Sequence, residues 1–225
     1  LEADMINAVS NYEKTKLSMA NVFLQYDQDT MIAKFSLKHD PSWLYLSFVK
    51  RIYRINRKSG NVQWSEDDFK TVCEADYNEA MTIYDVLCYS KDDCHLAHKF
   101  VNVGSLSTVQ PGNLSSNNGF FQNTADSFTG KIPELHNACL TLSGTELKKG
   151  DVAFELELFP FLPVIIRFWE ADDEFPANLQ ILVDRIILDY MHNDTLLFAL
   201  THLFPRLKEE ITNAQGTRKH ADSTQ

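Results

Sequence analysis

Two hydrophobic periodicities alternate along the chain, and together they predict a mixture of helices and antiparallel strands. Apolar side chains at the three-to-four-residue spacing of one-faced helices occupy four segments, 3–26, 77–89, 132–142 and 194–204. Pro205 follows the last of these segments, and we expect it to end or kink that helix at about Phe204 because proline lacks the amide hydrogen that a helix interior requires.

The strongest strand signal lies in the C-terminal half of the chain. Over residues 151–158, apolar side chains alternate with mostly acidic ones, which is typical of a strand with one buried and one wetted face. Residues 164–169 follow as the predicted antiparallel neighbour. In this pairing we expect Arg167 to face Glu155 or Glu157 across the two strands.

Period-two patterns also predict strands nearer the N-terminus, over 31–35, 44–48 and 51–55. The last of these leads into a tight turn, where Gly60 supplies the positive φ that such a turn favours. With the four helices, these strands predict an α+β fold. We expect an antiparallel sheet with the helices packed mainly on one of its faces.

The chain length fits one large domain or two small ones, since 225 residues compare with about 100–200 per domain. A Ser-, Asn- and Gly-rich stretch over 104–130 predicts a long loop with a short helix near 120–128, and it is also a candidate boundary between two halves. We expect a single α+β domain over 1–212, followed by a polar tail over 213–225.

Composition and charge exclude some classes of protein and argue against some classes of binding partner. Apolar residues make up 44% and charged residues 23%, which excludes a globally disordered chain. The net charge of −10 argues against a nucleic-acid partner, because phosphate binding needs a positive surface. No apolar run reaches the roughly 18 residues of a membrane span, and the first 30 residues show no signal-peptide pattern. These features favour a cytoplasmic protein without a membrane partner.

Four cysteines are present, and in a cytoplasmic chain with its own core we expect them to be free thiols. One group has the density of a zinc site, with a sulfur or nitrogen ligand at each position: Cys88, Cys94, His95 and His98. The spacing fits no standard zinc knuckle, and Cys88 lies on the apolar face of a predicted helix. Buried thiols and surface histidines are therefore the favoured interpretation, and metal binding is the weaker one.

An acidic run after the predicted strand 164–169 is the first candidate site. It follows Trp169 directly and consists of Glu170, Asp172, Asp173 and Glu174. Such carboxylates can hold a divalent metal or act as an acid–base pair beside the tryptophan ring. The competing interpretation is a solvated turn that keeps a sheet edge charged.

Asp184 is the second candidate, because it stands in the apolar run 182–187. A buried carboxylate requires a partner, and Arg185 or Arg167 is the nearest cation in sequence or in the predicted sheet. No nucleophile elbow, phosphate loop or dinucleotide fingerprint occurs in the chain, and the seven histidines are scattered. The sequence therefore gives no catalytic triad.

Four motifs in the C-terminal half carry a family resemblance when they are taken in order: 150–154, 159–163, 168–177 and 182–184. Together they resemble the bacterial and archaeal domain of unknown function family 3786, with a thinner likeness over 77–103. The resemblance implies no established activity, a setting in anaerobic metabolism, and a partner from an iron–sulfur or corrinoid system. Some members carry a four-cysteine iron–sulfur module, but this chain lacks a closely spaced cysteine run.

We therefore expect a non-catalytic accessory module that binds a small ligand or a partner protein in anaerobic redox metabolism. The alternative is an enzyme that uses the acids after Trp169, with or without a metal. The candidate ligand or metal residues are Trp169, Glu170, Asp172, Glu174 and Asp184. The sequence itself requires no cofactor.

Overall fold

The computed structural model describes the backbone over 2–106 and 121–222, and the side chains over 11–106 and 121–214. Within these residues it contains six α-helices and two antiparallel sheets of five strands each. The predicted α+β class is confirmed, with the strands divided between two sheets. The packing of helices mainly on one sheet face stays a prediction. Most of the predicted 104–130 loop lies outside the described residues.

The chain divides into two compact units. The first comprises Leu1–Cys94 and Leu188–Leu200, and the second comprises His95–Ile187 and Thr201–Gln225. The single domain predicted over 1–212 stays a prediction. No helix within the described residues is both long enough and apolar enough to cross a membrane.

The first unit contains a sheet whose strands follow chain order. Its elements are α1 (Glu2–Phe23), α2 (Gln28–Phe35), β1 (Lys38–His39), β2 (Trp43–Phe48), β3 (Arg51–Asn56), β4 (Val62–Ser65), β5 (Cys73–Glu74) and α3 (Tyr77–Tyr89). Each strand pairs with the next, and α1 packs against α3. The core of this unit is rich in aromatic side chains, with Phe23, Phe48, Tyr53 and Tyr84 almost fully buried.

Two turns of this sheet place residues at positive φ. Gly60, which precedes β4, has a φ of 74°, as the sequence predicted, and a Cβ added there would lie 2.6 Å from the Ala20 carbonyl oxygen. The hairpin between β2 and β3 uses Val49 and Lys50, at φ values of 46° and 61°. Because L-residues with a Cβ are strained in this region, the hairpin stores conformational energy.

The second unit contains a sheet in the order β6-β10-β9-β8-β7. Its elements are β6 (Phe100–Asn102), α4 (Gln122–Phe128), α5 (Ile132–Thr141), β7 (Thr145–Glu146), β8 (Val152–Phe159), β9 (Leu162–Trp169) and β10 (Asn178–Asp184). Helix α4 contacts β10, and α5 contacts β8. A last helix, α6 (Asn193–Asp222), begins within the first unit and continues in the second.

The two faces of this second sheet differ in polarity. Phe154 and Phe168 lie on the apolar face and are fully buried, where Phe128 of α4 meets Phe168 edge to face. The opposite face is partly polar and includes Arg167, which pairs with Ala153 on β8 and with Gln180 on β10. The predicted position of Arg167 opposite Glu155 or Glu157 is therefore wrong, because the strand register shifts those acids toward Ile165 and Pro163.

One predicted strand is a helix. Residues 31–35 belong to α2, which begins because the Asp27 side chain accepts hydrogen bonds from the Asp29 amide, at 3.0 Å, and from the Thr30 hydroxyl, at 2.7 Å. The helix ends at Ser36, which adopts the left-handed conformation. The short apolar run has no diagnostic period, so these local caps decide its structure.

The end predicted for the last helix at Phe204 is also wrong, while the kink predicted as the other outcome stays a prediction. Pro205 lies inside α6, which continues to Asp222, so the segment predicted as a polar tail is helical over 213–222. Leu207 and Ile211 remain buried beyond the proline and continue the apolar stripe. Their burial favours the helix beyond the proline and offsets the one backbone hydrogen bond that Pro205 removes.

Candidate functional site

A pocket of about 510 Å³ lies within the second unit, at the end of β9. We call it the Trp169 pocket, and its lining residues are Gln122, Asp151, Trp169, Glu170, Asp172, Phe175, Pro176, Ala177, Asn178 and Gln180. Trp169 ends β9 and lies directly opposite Asn178, the first residue of β10. The antiparallel register thus places the tryptophan ring beside the chain that links the two strands.

Asp172 shapes the loop between β9 and β10. Its Oδ1 atom accepts hydrogen bonds from the backbone amides of Glu174, at 2.9 Å, and Phe175, at 2.7 Å. The Asp172 amide in turn donates to the Phe175 carbonyl at 2.9 Å. This arrangement is the turn that aspartate side chains favour, and it leaves Phe175 65% exposed at the rim of the pocket.

Glu170 is oriented by backbone amides on both carboxylate oxygens. Its Oε2 atom accepts from the Gly130 amide at 2.8 Å, and its Oε1 atom accepts from the Ala171 amide at 3.1 Å. The Glu170 amide donates to Asp151 Oδ2 at 2.7 Å. Among the described residues, the two carboxylates therefore have positions defined by backbone amides and not by an arginine or lysine partner.

Side-chain amides complete the lining. Gln122, the first residue of α4, donates to the Ala177 carbonyl at 3.1 Å and to Asp126 Oδ1 at 2.8 Å, so it ties the helix to the β9–β10 loop. Gln180 Oε1 accepts a long hydrogen bond of 3.4 Å from Arg167 Nη1. The pocket thus offers two aromatic rings, three side-chain amides and three carboxylates.

The charged side chains described in the lining of the pocket are all acidic. Asp151, Glu170 and Asp172 line it, and none of the described residues in its lining is a lysine or an arginine. Yet the described part of the chain contains no group of three His, Cys, Asp or Glu residues that could hold a metal ion. The carboxylates therefore surround the cavity without converging on one point.

The structure brings together three of the five predicted site residues, Trp169, Glu170 and Asp172. Glu174 belongs to the same loop and donates its amide to Asp172, but it does not line the pocket. Asp184 lies outside it, at the far end of β10.

Asp184 is fully buried, as its apolar surroundings suggested. Its Oδ1 atom accepts from the backbone amides of Ala97, at 3.3 Å, and Ile186, at 3.1 Å, while Oδ2 is buried without a hydrogen-bond partner among the described residues. Arg185 is exposed, and Arg167 bonds to Gln180 instead. The predicted arginine partner is therefore wrong, because backbone amides take its place.

The cysteine–histidine group does not assemble. No three of Cys88, Cys94, His95 and His98 come close enough together to hold a metal. Cys88 is buried in α3, where burial and then the nearby Asp85 charge raise the pKa of its thiol to about 12. Burial also raises the pKa of Cys94. All four cysteines of the chain are free thiols in the structure.

Sequence reasoning missed several pocket residues, among them Asp151, Gln122 and Phe175. Asp151 had a usable signal, because it directly precedes a strand predicted to pair with the one that ends at Trp169. Gln122 had none, since its position depends on where α4 lies against the sheet.

Sequence reasoning also missed a carboxylate–histidine pair in the first unit. Asp85 Oδ1 lies 2.6 Å from His192 Nδ1, and Asp85 Oδ2 accepts the His192 backbone amide at 2.7 Å. The acid is buried, whereas the histidine side chain is 67% exposed and meets the Tyr89 ring edge to face. The two residues are 107 positions apart, so no local pattern connects them.

Comparison with known proteins identifies a family for this chain. The family model described as "Domain of unknown function (DUF3786)" matches residues 27–206, which span both units. No curated protein and no solved structure matches the chain. The motifs around Trp169 and the strands that position them fall inside the matched range, and the chain belongs to the DUF3786 family.

Proposed function

We propose that this chain is a non-catalytic binding module whose ligand occupies the Trp169 pocket. The observation that carries the proposal is the convergence of Trp169, Glu170 and Asp172 on one cavity of about 510 Å³. Cavities of roughly 300–1,000 Å³ with aromatic walls and a few fixed polar groups are the usual form of small-molecule sites.

The chemistry of the lining favours binding over catalysis. Its described residues include no histidine, cysteine, serine, lysine or tyrosine, so among them no such nucleophile stands beside a base. The oxygens of Glu170 and Asp172 already accept backbone hydrogen bonds that define the loop. These acids are suited to orient a ligand, and their structural bonds oppose large movements during a reaction.

The alternative function is an enzyme that uses the acids after Trp169, with or without a metal held by Asp172 and Glu174. It has less support, because Asp172 Oδ1 is engaged in the turn and Glu174 does not line the pocket. Replacing both acids by alanine tests it directly. If a metal resides there, elemental analysis will show the loss of a stoichiometric ion from the folded variant, and an unchanged metal content removes the metal-dependent form of this alternative.

The family resemblance supports a further part of the proposal, a cytoplasmic accessory role beside an iron–sulfur or corrinoid partner in anaerobic redox metabolism. The expected result is that protein purified without oxygen brings down a partner whose absorption spectrum shows an iron–sulfur or corrinoid band. Purification that yields this chain alone, colourless and without a partner, contradicts the accessory role. It leaves the binding function of the pocket standing.

The binding function is tested by blocking the pocket. Asn178 faces Trp169 across β9 and β10 and lines the cavity, so Asn178→Trp fills the space and Asn178→Ser leaves it open. A library of small polar and charged fragments is screened by ligand-observed NMR against the wild type and both variants. We expect fragments that bind the wild type and Asn178→Ser but not Asn178→Trp.

Two outcomes contradict the proposal. Either no fragment binds the wild type, or every fragment that binds is retained by the blocked variant. Circular dichroism and thermal unfolding of both variants show that a lost signal does not reflect loss of folding.

A further inference from the structure

We infer that the ligand of the Trp169 pocket is a small organic cation, with an alkylated ammonium or guanidinium group over the Trp169 ring. The inference rests on the proposed function and names the chemical class that the pocket selects. It follows from the tryptophan ring, the charge of the lining and the spacing of the carboxylates.

The other two tryptophans of the chain already have a cation on the ring. The guanidinium carbon of Arg54 lies 4.0 Å from the centre of the Trp43 ring, and that of Arg51 lies 3.8 Å from the centre of the Trp64 ring. Among the described residues, no lysine or arginine lies over Trp169. The negative face of a tryptophan ring is the best aromatic site for a cation, and Trp169 lines the cavity that an external cation would enter.

The negative charges around the Trp169 ring also favour a cationic ligand. Asp151, Glu170 and Asp172 line the cavity, and the part of the lining that the structure describes contains no basic residue. Backbone amides hold the carboxylates in place, so they need little rearrangement when a cation enters. An anionic ligand would face three negative charges and is disfavoured by the same arrangement.

The spacing of the carboxylates favours an organic cation over a metal ion. Calcium takes six to eight oxygen ligands around one point, and magnesium demands a close octahedral set. The described residues contain no such convergent group. A cation whose charge is spread over several carbon or nitrogen atoms needs only a diffuse negative field and an aromatic wall, and a cavity of about 510 Å³ has room for it.

Choline and its neutral isostere 3,3-dimethyl-1-butanol test the inference, since they share a shape and differ in charge. Guanidinium and calcium ions serve as further probes, and dissociation constants are measured by NMR titration at low and high salt. We expect choline to bind with a dissociation constant about tenfold or more below that of the isostere, because cation–π and charge attraction add to the shared apolar contact.

Single substitutions distinguish the contribution of the Trp169 ring to choline binding from that of the carboxylate charges. Trp169→Leu is expected to weaken choline binding by about 3- to 30-fold, the range of a cation–π contact. Asp172→Asn keeps the oxygen that accepts the Glu174 and Phe175 amides but removes the charge, so it should weaken choline binding several-fold and reduce the effect of salt. Asp173→Asn is the matched control, because Asp173 is exposed in the same loop but does not line the pocket.

The outcomes distinguish this inference from the proposed function. If the isostere binds as tightly as choline, or if fragments enter the pocket but no organic cation does, the cation inference is overturned and the binding module remains. Tighter binding of calcium than of either organic cation also overturns it. If neither the fragments nor the cations bind in the pocket, the proposed function itself fails.

Discussion

Replacing Arg51 by methionine tests how much the buried Arg51–Glu79 ion pair contributes to the stability of the first unit. Arg51 is buried on β3, where its Nη1 atom lies 3.3 Å from Glu79 Oε1 and its Nε atom lies 3.0 Å from Glu66 Oε1. Glu79, at the start of α3, is buried too, and its Oε1 atom also accepts from the Tyr53 hydroxyl at 2.7 Å. The variant leaves the Glu79 carboxylate buried without its nearest cation.

The expected loss follows from these contacts. Removing one partner of a buried ion pair costs about 3–5 kcal/mol, because the remaining charge stays out of water. Arg51 also stacks on Trp64 at 3.8 Å, and losing that contact adds about 1 kcal/mol. We therefore expect the free energy of unfolding at neutral pH to fall by about 5 kcal/mol, measured by urea denaturation with tryptophan fluorescence.

The pH dependence has a defined sign. Burial raises the pKa of the Glu79 carboxyl above its usual value, and Arg51 opposes part of that rise. A carboxyl with a raised folded-state pKa contributes stability below its unfolded pKa, near about 4.3, and loses it as the pH rises through the folded value. Without Arg51 the folded pKa rises further, so the deficit of Arg51→Met should grow from mildly acidic toward neutral pH.

A second substitution makes the reasoning refutable. Glu79→Gln removes the charge but keeps an oxygen for the Tyr53 hydroxyl, so the double variant Arg51→Met with Glu79→Gln should be more stable at neutral pH than Arg51→Met alone. If the double variant is no more stable, or if Arg51→Met costs less than about 1 kcal/mol, the pair is not an electrostatically coupled buried unit.

Three further substitutions or reactions test other parts of the structure. Lys50→Gly should raise the free energy of unfolding by about 1 kcal/mol in urea denaturation, because glycine adopts the left-handed turn conformation without strain. A loss of stability would contradict the backbone strain that we assign to Lys50 at its φ of 61°. Gly60→Ala should lower the thermal midpoint, since its Cβ would lie 2.6 Å from the Ala20 carbonyl oxygen, and an unchanged midpoint would show that this close approach relaxes freely. Cys139 should resist a thiol reagent in the folded protein, because burial raises the pKa of its thiol to about 12, and mass spectrometry showing its rapid labelling under native conditions would refute that protection.

The accuracy of the sequence predictions follows how local each determinant is. The β8–β9 hairpin was predictable because strict alternation over 151–158 fixes which side chains share a face. The β9–β10 register, which places Trp169 opposite Asn178, was not part of the prediction. The strand expected at 31–35 failed because five apolar-rich residues fit either period, while the Asp27 cap lay just outside the pattern. The helix end expected at Pro205 failed because burial of Leu207 and Ile211 outweighs a single lost hydrogen bond.

In the Trp169 pocket too, the features set by local sequence were predictable, whereas those set by contacts between distant residues were not. Glu170 and Asp172 could be singled out from the sequence because acids directly after a strand stand at a sheet edge, but their bonding depends on backbone amides supplied by Gly130 and by the loop itself. Such amides carry no sequence signal, since every residue except proline has one. The negative charge of the pocket can therefore be read from the sequence. The separation of its carboxylates depends on the fold, and that separation favours a diffuse organic cation over a metal ion.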